Sequence, residues 1–187
     1  MTGQDHNPDE VKLLIEQAKS GDSEAFGTVY RLYYTPVYRY IYLRTKSRNH
    51  AEDLTQTVFM KVYKSISGVE TSGVSPLAYF FTVARNTIID HWRKEGRGMV
   101  YDDEAVAAKA NDLDTGVESF ETSEAKEIVH QALGILTEDQ QEVMRLKFVS
   151  DLSTKEISQM LDKSEEAVRQ LQSRALKLLR AYFKRES

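Results

Sequence analysis

The sequence predicts an all-α protein: two small helical domains joined by an acidic flexible linker. Three observations carry that expectation. Apolar residues recur at intervals of three and four along both halves of the chain, and no stretch alternates as a strand would. Helix-start chemistry recurs at Ser75-Pro76, Thr137-Glu138-Asp139-Gln140 and Ser153-Thr154-Lys155-Glu156. Charge is partitioned: Met99 to Glu124 holds eight acidic residues and one basic residue, Lys109, whereas the whole 187-residue chain has a net charge of −4. Everything outside that segment is therefore net basic, which the overall balance conceals.

The first helical pattern is Val11, Leu14, Ile15 and Ala18, closed by Gly21. Residues 1–10 before it are polar and acidic and are expected to be disordered. Asp22 or Ser23 can cap a second segment whose apolar and aromatic positions are Phe26, Val29, Tyr30, Tyr33 and Tyr34. Pro36 is expected to interrupt it, with Val37, Tyr38, Ile41 and Tyr42 continuing the stripe. Asn49 to Ile66 is a strong helix with Ala51, Leu54, Val58, Val62 and Ile66 on one face. Its other face shows Asp53, Gln56, Met60 and Lys64.

Ser67 to Gly73 has loop composition. Ser75 and Pro76 then supply an N-cap and a first-turn proline for a helix reaching about Arg93. Phe81, Ala84, Ile88 and Trp92 share a face of it, and Gly96 and Gly98 end it. A further helical block starts near Ser123. The parse is a first domain over 11–97, the acidic linker over 98–123, and a second domain over 124–187.

Composition excludes several function classes. Hydrophobic residues make up 41%, enough for packed cores. With no cysteine there is no disulfide, no thiolate catalysis and no cysteine-ligated zinc. No apolar run approaches the roughly 18 residues that span a bilayer, so no membrane insertion is expected and a cytoplasmic location is. His6, His50, His91 and His130 are isolated, and no pair has metal-ligand spacing on one helix. There is no glycine-rich phosphate loop and no serine with an identifiable base partner. Catalytic residues, metals and cofactors are therefore not expected, and the chain does not read as an enzyme.

Ser153 to Leu161, then Asp162-Lys163-Ser164, then Glu165 to Ala175 read as helix, tight turn, helix. In a DNA-binding helix-turn-helix the first helix braces the second, whose N-terminal half enters the major groove. Ile157 and Leu161, with Val168, Leu171 and Ala175, are spaced to form the seam. Arg169, Gln170, Ser173 and Arg174 then face outward, with Lys177, Arg180, Lys184 and Arg185 adding phosphate attraction on later turns. Arginine matches guanine bidentately and glutamine matches adenine, each contributing roughly 1–3 kcal/mol of discrimination. A solvated helical hairpin shares this spacing; the capping, the three-residue turn and the basic tail favour DNA. Glu165 and Glu166 are the discordant pair, since they suit the helix dipole but would repel phosphate.

Ala25 to Tyr34, Ala51 to Phe59 and Ala84 to Arg93 resemble the second conserved region of bacterial sigma factors. Leu136 to Val143, together with the helix-turn-helix, resembles the fourth. Order, spacing and the short linker are similar to the extracytoplasmic-function (ECF) class of the sigma-70 superfamily, which keeps only these two regions. The likeness runs from about Val11 to Arg180.

That resemblance implies roles. Asp53, Gln56, Thr57, Phe59 and Met60 would bind core RNA polymerase, at the clamp helices of its β′ subunit, and the C-terminal domain would meet the β flap. Ser67, Gly68, Val69, Glu70, Thr71, Ser72 and Gly73, with Arg85, Asn86 and Arg93, would open and read the promoter −10 element. An exposed base read in a pocket suits a loop beside a basic helix. Arg169, Gln170, Ser173, Arg174 and Lys177 would read the −35 element. Trp92 continues a core stripe and is assigned to packing ahead of base stacking, and Asp90 to pairing with a neighbouring cation. The acidic segment would thread toward the polymerase active centre, and an anti-sigma factor is the implied regulatory partner.

The chain departs from the family pattern at Thr57, where an acid is usual, and at Asp162, where the turn glycine is usual. It departs again at Ala167 and Leu171, where Thr and Arg are frequent. The alternatives are a conventional helix-turn-helix regulator and an interaction protein that holds polymerase without reading promoters. No dimerisation heptad supports the first, and the basic recognition helix opposes the second.

Overall fold

A computed structural model describes residues 8–68, 75–96 and 123–186. The chain divides into two compact units, Met1–Tyr101 and Asp102–Ser187. Both are helical, with no strand among the described residues. None of the described helices is long and apolar enough to cross a membrane.

In the first unit, α1 (Pro8–Lys19) buries Val11, Ile15 and Ala18. It begins three residues inside the segment expected to be disordered. Proline at the first helical position, with Asp9 and Glu10 in the first turn, suits a helix N-terminus and explains the earlier start. Residues 1–7 lie outside the described residues. Gly21, at φ +94°, turns the chain, and the Asp22 carboxylate caps α2 (Ser23–Thr45) by accepting from the Glu24 and Ala25 amides at 2.9 and 3.1 Å.

Pro36 does not interrupt α2, which runs unbroken through it. The proline deletes the N–H that would reach the Leu32 carbonyl, a loss of about 3 kcal/mol in an isolated helix. Fully buried Val29 on one side and Val37, Tyr40 and Ile41 on the other outweigh it, because a break would lift one of the two groups out of the core. Lys46, left-handed at φ 52°, ends α2, and Ser47 caps α3 (Arg48–Ser65). A 3-10 turn over Ile66–Gly68 follows. Ser75 caps α4 (Pro76–Lys94) by accepting from the Ala78 amide at 3.3 Å, with Pro76 opening the helix as its sequence predicts.

Helices α2, α3 and α4 pack on one another, and α1 lies against α2 and α4. Aromatic rings lock the junction. Phe59 of α3 meets Tyr30 of α2 at 4.6 Å and Phe80 of α4 at 5.3 Å between ring centroids. Tyr33 meets Phe80 edge-on at 5.0 Å, and Tyr40 meets Phe81 at 5.3 Å. Along α2, Tyr34, Tyr38 and Tyr42 stack at four-residue spacing. Burial pushes the Tyr34 and Tyr38 hydroxyls above their ordinary pKa, so both remain neutral at physiological pH.

The second unit contains α5 (Ser123–Gly134), α6 (Glu138–Phe148), α7 (Thr154–Leu161) and α8 (Glu165–Glu186). Leu136, Met144 and Ala175 form a core with Leu133, Leu176 and Leu179 against it. Helix α5 starts at Ser123, as the sequence predicts; the acidic segment before it lies outside the described residues.

The aromatic junction yields a test. Phe59→Ala is expected to destabilise the first unit by about 3–5 kcal/mol. Met60→Ala, one residue on and 59% exposed, should change stability by less than about 0.5 kcal/mol. Urea unfolding followed through Trp92 fluorescence compares the two.

Candidate nucleic-acid interface

The helix-turn-helix is built from local chemistry. Ser153 and Glu156 form a reciprocal capping box: the Ser153 amide donates to the Glu156 carboxylate at 2.8 Å, and the Glu156 amide to the Ser153 hydroxyl at 3.2 Å. Asp162 ends α7 in the left-handed region, φ 52° and ψ 47°, where the family pattern has glycine. Its short polar side chain is among the few that tolerate that conformation. The Ser164 hydroxyl accepts from the Ala167 amide at 3.1 Å and starts α8. Lys163 ties the turn back to Asp139 at the start of α6, at 2.9 Å. Gln140 closes the α6 start by accepting from the Thr137 amide at 3.1 Å.

Ile157, Val168 and Ala175 are buried in the seam, while Leu161, Ala167 and Leu171 are partly exposed. The opposite side of α8 presents Arg169, Gln170, Ser173, Arg174 and Lys177, all exposed. At 100° per residue these five span an arc of about 140°. Arg169, Ser173, Lys177 and Arg180 share a shallow groove with Gln172 and Leu176. The discordant acids have partners. Arg169 pairs with Glu165 at 2.8 Å and Glu166 at 3.5 Å, and Gln170 donates to Glu166 at 3.2 Å. Glu165 and Glu166 therefore hold the first two reading side chains against the helix.

On α4, Asn86 and Arg93 are exposed and Arg85 is half-buried. Asp90 sits between cations, 3.7 Å from Arg93 and 4.0 Å from Lys61 of α3, as its sequence position predicts. Lys61 also donates to the Thr87 hydroxyl at 3.0 Å, joining α3 to α4. Trp92 is half-buried with the Arg44 guanidinium 5.2 Å from its ring centroid, a cation–π contact that sequence order does not reveal. Ser67 and Gly68 are exposed in the 3-10 turn; Val69, Glu70, Thr71, Ser72 and Gly73 lie outside the described residues.

On α3, Asp53, Gln56 and Met60 are exposed on one face with Thr57 beside them. The Thr57 hydroxyl donates back to the Asp53 carbonyl at 2.8 Å. Phe59 is not on this face. It is 3% exposed and points into the aromatic junction, so it cannot touch a partner and its expected docking role is corrected to a packing one. Tyr63, 51% exposed and edge-on to Phe26 at 4.8 Å, flanks the face and was not singled out by the sequence.

The histidines are also less isolated than their sequence positions indicate. His50 on α3 and His91 on α4 bring their rings to 5.0 Å. The contact crosses two helices, so no spacing on one helix could have revealed it.

Helical units with an outward basic stripe on a helix-turn-helix define a DNA-reading class. The sigma-70 region 2 family matches residues 29–98, and sigma-70 region 4 matches residues 132–181. The chain is 34% identical over 167 residues to the ECF RNA polymerase sigma factor BldN of Streptomyces coelicolor, covering 89% of this chain and 63% of that protein. It therefore spans less than two thirds of BldN. It is 30% identical over 158 residues to the ECF RNA polymerase sigma factor SigM of Bacillus subtilis, covering 84% of this chain and 94% of SigM. The sigma factor RpoE from Bartonella quintana, solved in complex with the anti-sigma factor NepR, matches with a TM-score of 0.66 at 23% identity. That match covers 85% of this chain and 96% of RpoE, and bears on the fold. The chain belongs to the ECF RNA polymerase sigma factors of the sigma-70 family.

The left-handed turn at Asp162 gives a further expectation. Asp162→Gly should leave stability unchanged or raise it slightly, whereas Asp162→Val should cost about 1–2 kcal/mol. Thermal unfolding of the two variants distinguishes these outcomes.

Proposed function

We propose that this chain binds core RNA polymerase and directs promoter-specific initiation, acting as a polymerase subunit and not as an enzyme. The exposed face of α3, with Asp53, Gln56, Thr57 and Met60, docks on the β′ clamp helices. Arg85, Asn86 and Arg93 of α4, with residues 67–73, engage the −10 element. Arg169, Gln170, Ser173, Arg174 and Lys177 of α8 engage the −35 element while the second unit meets the β flap.

The observation that carries this reading is the polar face of α3. Asp53, Gln56 and Met60 share an outward arc while the same helix buries Phe59 and Val62, which leaves a ready surface for a partner helix. We assign the protein to the bacterial cytoplasm, 11–97 and 124–187 to the two working domains, and 98–123 to the linker. An anti-sigma factor that covers the two faces is the regulatory partner this reading implies, in keeping with the complex of RpoE and the anti-sigma factor NepR.

Reconstitution tests it. Purified chain added to core polymerase should give run-off transcripts from a cognate promoter. Duplex binding without any polymerase binding would overturn the proposal. Arg174→Ala is expected to reduce −35-dependent transcription about 5- to 100-fold, from the loss of one bidentate contact, with polymerase affinity unchanged.

The acids at the start of α8 give a separate expectation. Glu166→Gln removes the longer of the two carboxylate pairings of Arg169, leaving Glu165 at 2.8 Å, and removes a charge near phosphate. Promoter binding by the holoenzyme should tighten about 1.5- to 5-fold at low salt, and the gain should fade as salt rises. Filter binding across a salt series measures it.

A further inference from the structure

Proposed polymerase docking and promoter reading leave one cluster of the first unit unused. His50 lies in the first turn of α3, and His91 and Glu95 lie at the end of α4. The imidazoles approach to 5.0 Å between centroids with their planes at 66°. His91 Nε2 lies 3.4 Å from Glu95 Oε1. One candidate ligand atom from each of the three residues lies within 4.8 Å of the other two.

Two features favour a cation there. His91 Nε2 is buried and makes no hydrogen bond, although a buried ring nitrogen ordinarily finds a partner. Zinc–nitrogen and zinc–oxygen bonds of about 2.0–2.2 Å put neighbouring ligands of a tetrahedron roughly 3.4 Å apart, the spacing His91 and Glu95 already have. His50 needs to move inward by about an ångström, within the reach of a side-chain adjustment at a partly exposed position.

We propose that His50, His91 and Glu95 bind one divalent transition cation of the zinc class. Two imidazoles and a carboxylate suit Zn²⁺, Co²⁺, Ni²⁺ or Cu²⁺ and do not suit Mg²⁺ or Ca²⁺, which take oxygen ligands. Three protein ligands leave a fourth position open to water. The bound ion staples the start of α3 to the end of α4, the two helices whose outer faces carry the proposed docking and −10 residues. It thereby stabilises the first unit and fixes those faces to each other. The binding site does not depend on the proposed function; only its consequence for those faces does.

Trp92, the only tryptophan of the chain, is next to His91 and reports on the site. Untagged full-length protein stripped with EDTA should show saturable quenching of Trp92 by one equivalent of Co²⁺, reversed by Zn²⁺. Saturating Zn²⁺ should raise the melting temperature of the first unit by at least about 5 °C. His50→Gln and His91→Gln should each weaken Co²⁺ binding at least about tenfold, while His6→Gln and His130→Gln leave it intact. Glu95→Gln is the conservative variant, and metal-free melting of all three site variants checks that the fold survives. If His91→Gln fails to fold, His50→Gln and Glu95→Gln decide the matter. No quenching below about 1 mM Co²⁺ would overturn the assignment, because a three-ligand site binds more tightly. Equal binding by parent and site variants, or loss only in the His6 and His130 variants, would overturn it as well.

Discussion

The angular phase of α3 is the constraint on which the first unit depends. Phe59 is held between Tyr30 and Phe80, and with Leu54, Val58 and Val62 it fixes which side of α3 faces inward. Everything on the other side follows at 100° per residue. Asp53, Gln56 and Met60 are exposed because Phe59 is not. A ring pair of this kind contributes about 0.5–1.5 kcal/mol beyond its buried area, but its larger effect is positional. The same junction anchors α4 through Phe80 and Phe81, so Asn86 and Arg93 are set outward by the residues that order α3. Pro36 is carried inside α2 by the same packing.

In the second unit local hydrogen bonds take a comparable role. The Ser153–Glu156 box starts α7, Asp162 stops it, and Ser164 starts α8 three residues after α7 ends. Val168 and Ala175 then set the phase of α8, leaving one arc for Arg169 to Lys177. Each cap contributes about 1 kcal/mol, while seam burial supplies more. The caps decide where the helices begin, and the seam decides which way they face.

What the sequence made legible follows from that division. Periodicity located α1 to α4, α7 and α8, because exposed and buried sides alternate regularly within one element. Cap chemistry located the starts of α2, α4, α6 and α7, because its donors and acceptors lie within three or four residues. The pattern failed where the deciding partner is distant. Phe59 had its docking role from the resemblance and not from its spacing, and its packing role shows only once Tyr30 and Phe80 are placed beside it. Pro36 breaks a helix in isolation and survives only inside a core. Arg44 over Trp92 and His50 against His91 join residues more than forty positions apart, which no spacing rule on one helix can register. The proposed binding roles rest on family resemblance, since a polar face announces exposure and not its partner.

The modest charge of α8 bears on how the proposed reader would work. Arg169, Lys177 and Arg180 line one groove, but Glu165 and Glu166 sit a turn away and hold Arg169. So few phosphate contacts give a small electrostatic contribution with a shallow salt dependence. For a solitary DNA binder that would be a defect. For a unit tethered beside its site by a polymerase-bound partner unit, the effective concentration is of millimolar order, and little intrinsic affinity is needed. Uniform phosphate attraction would strengthen binding at every sequence alike. In the proposed reading, bidentate contacts from Arg169, Gln170 and Arg174 would act only where the bases match, each with roughly 1–3 kcal/mol of discrimination. Weak general attraction combined with strong local choice keeps the ratio between right and wrong sites high. On that reading the paired acids, which hold Arg169 and Gln170 against the helix, would serve selectivity by yielding them only to a matching base edge.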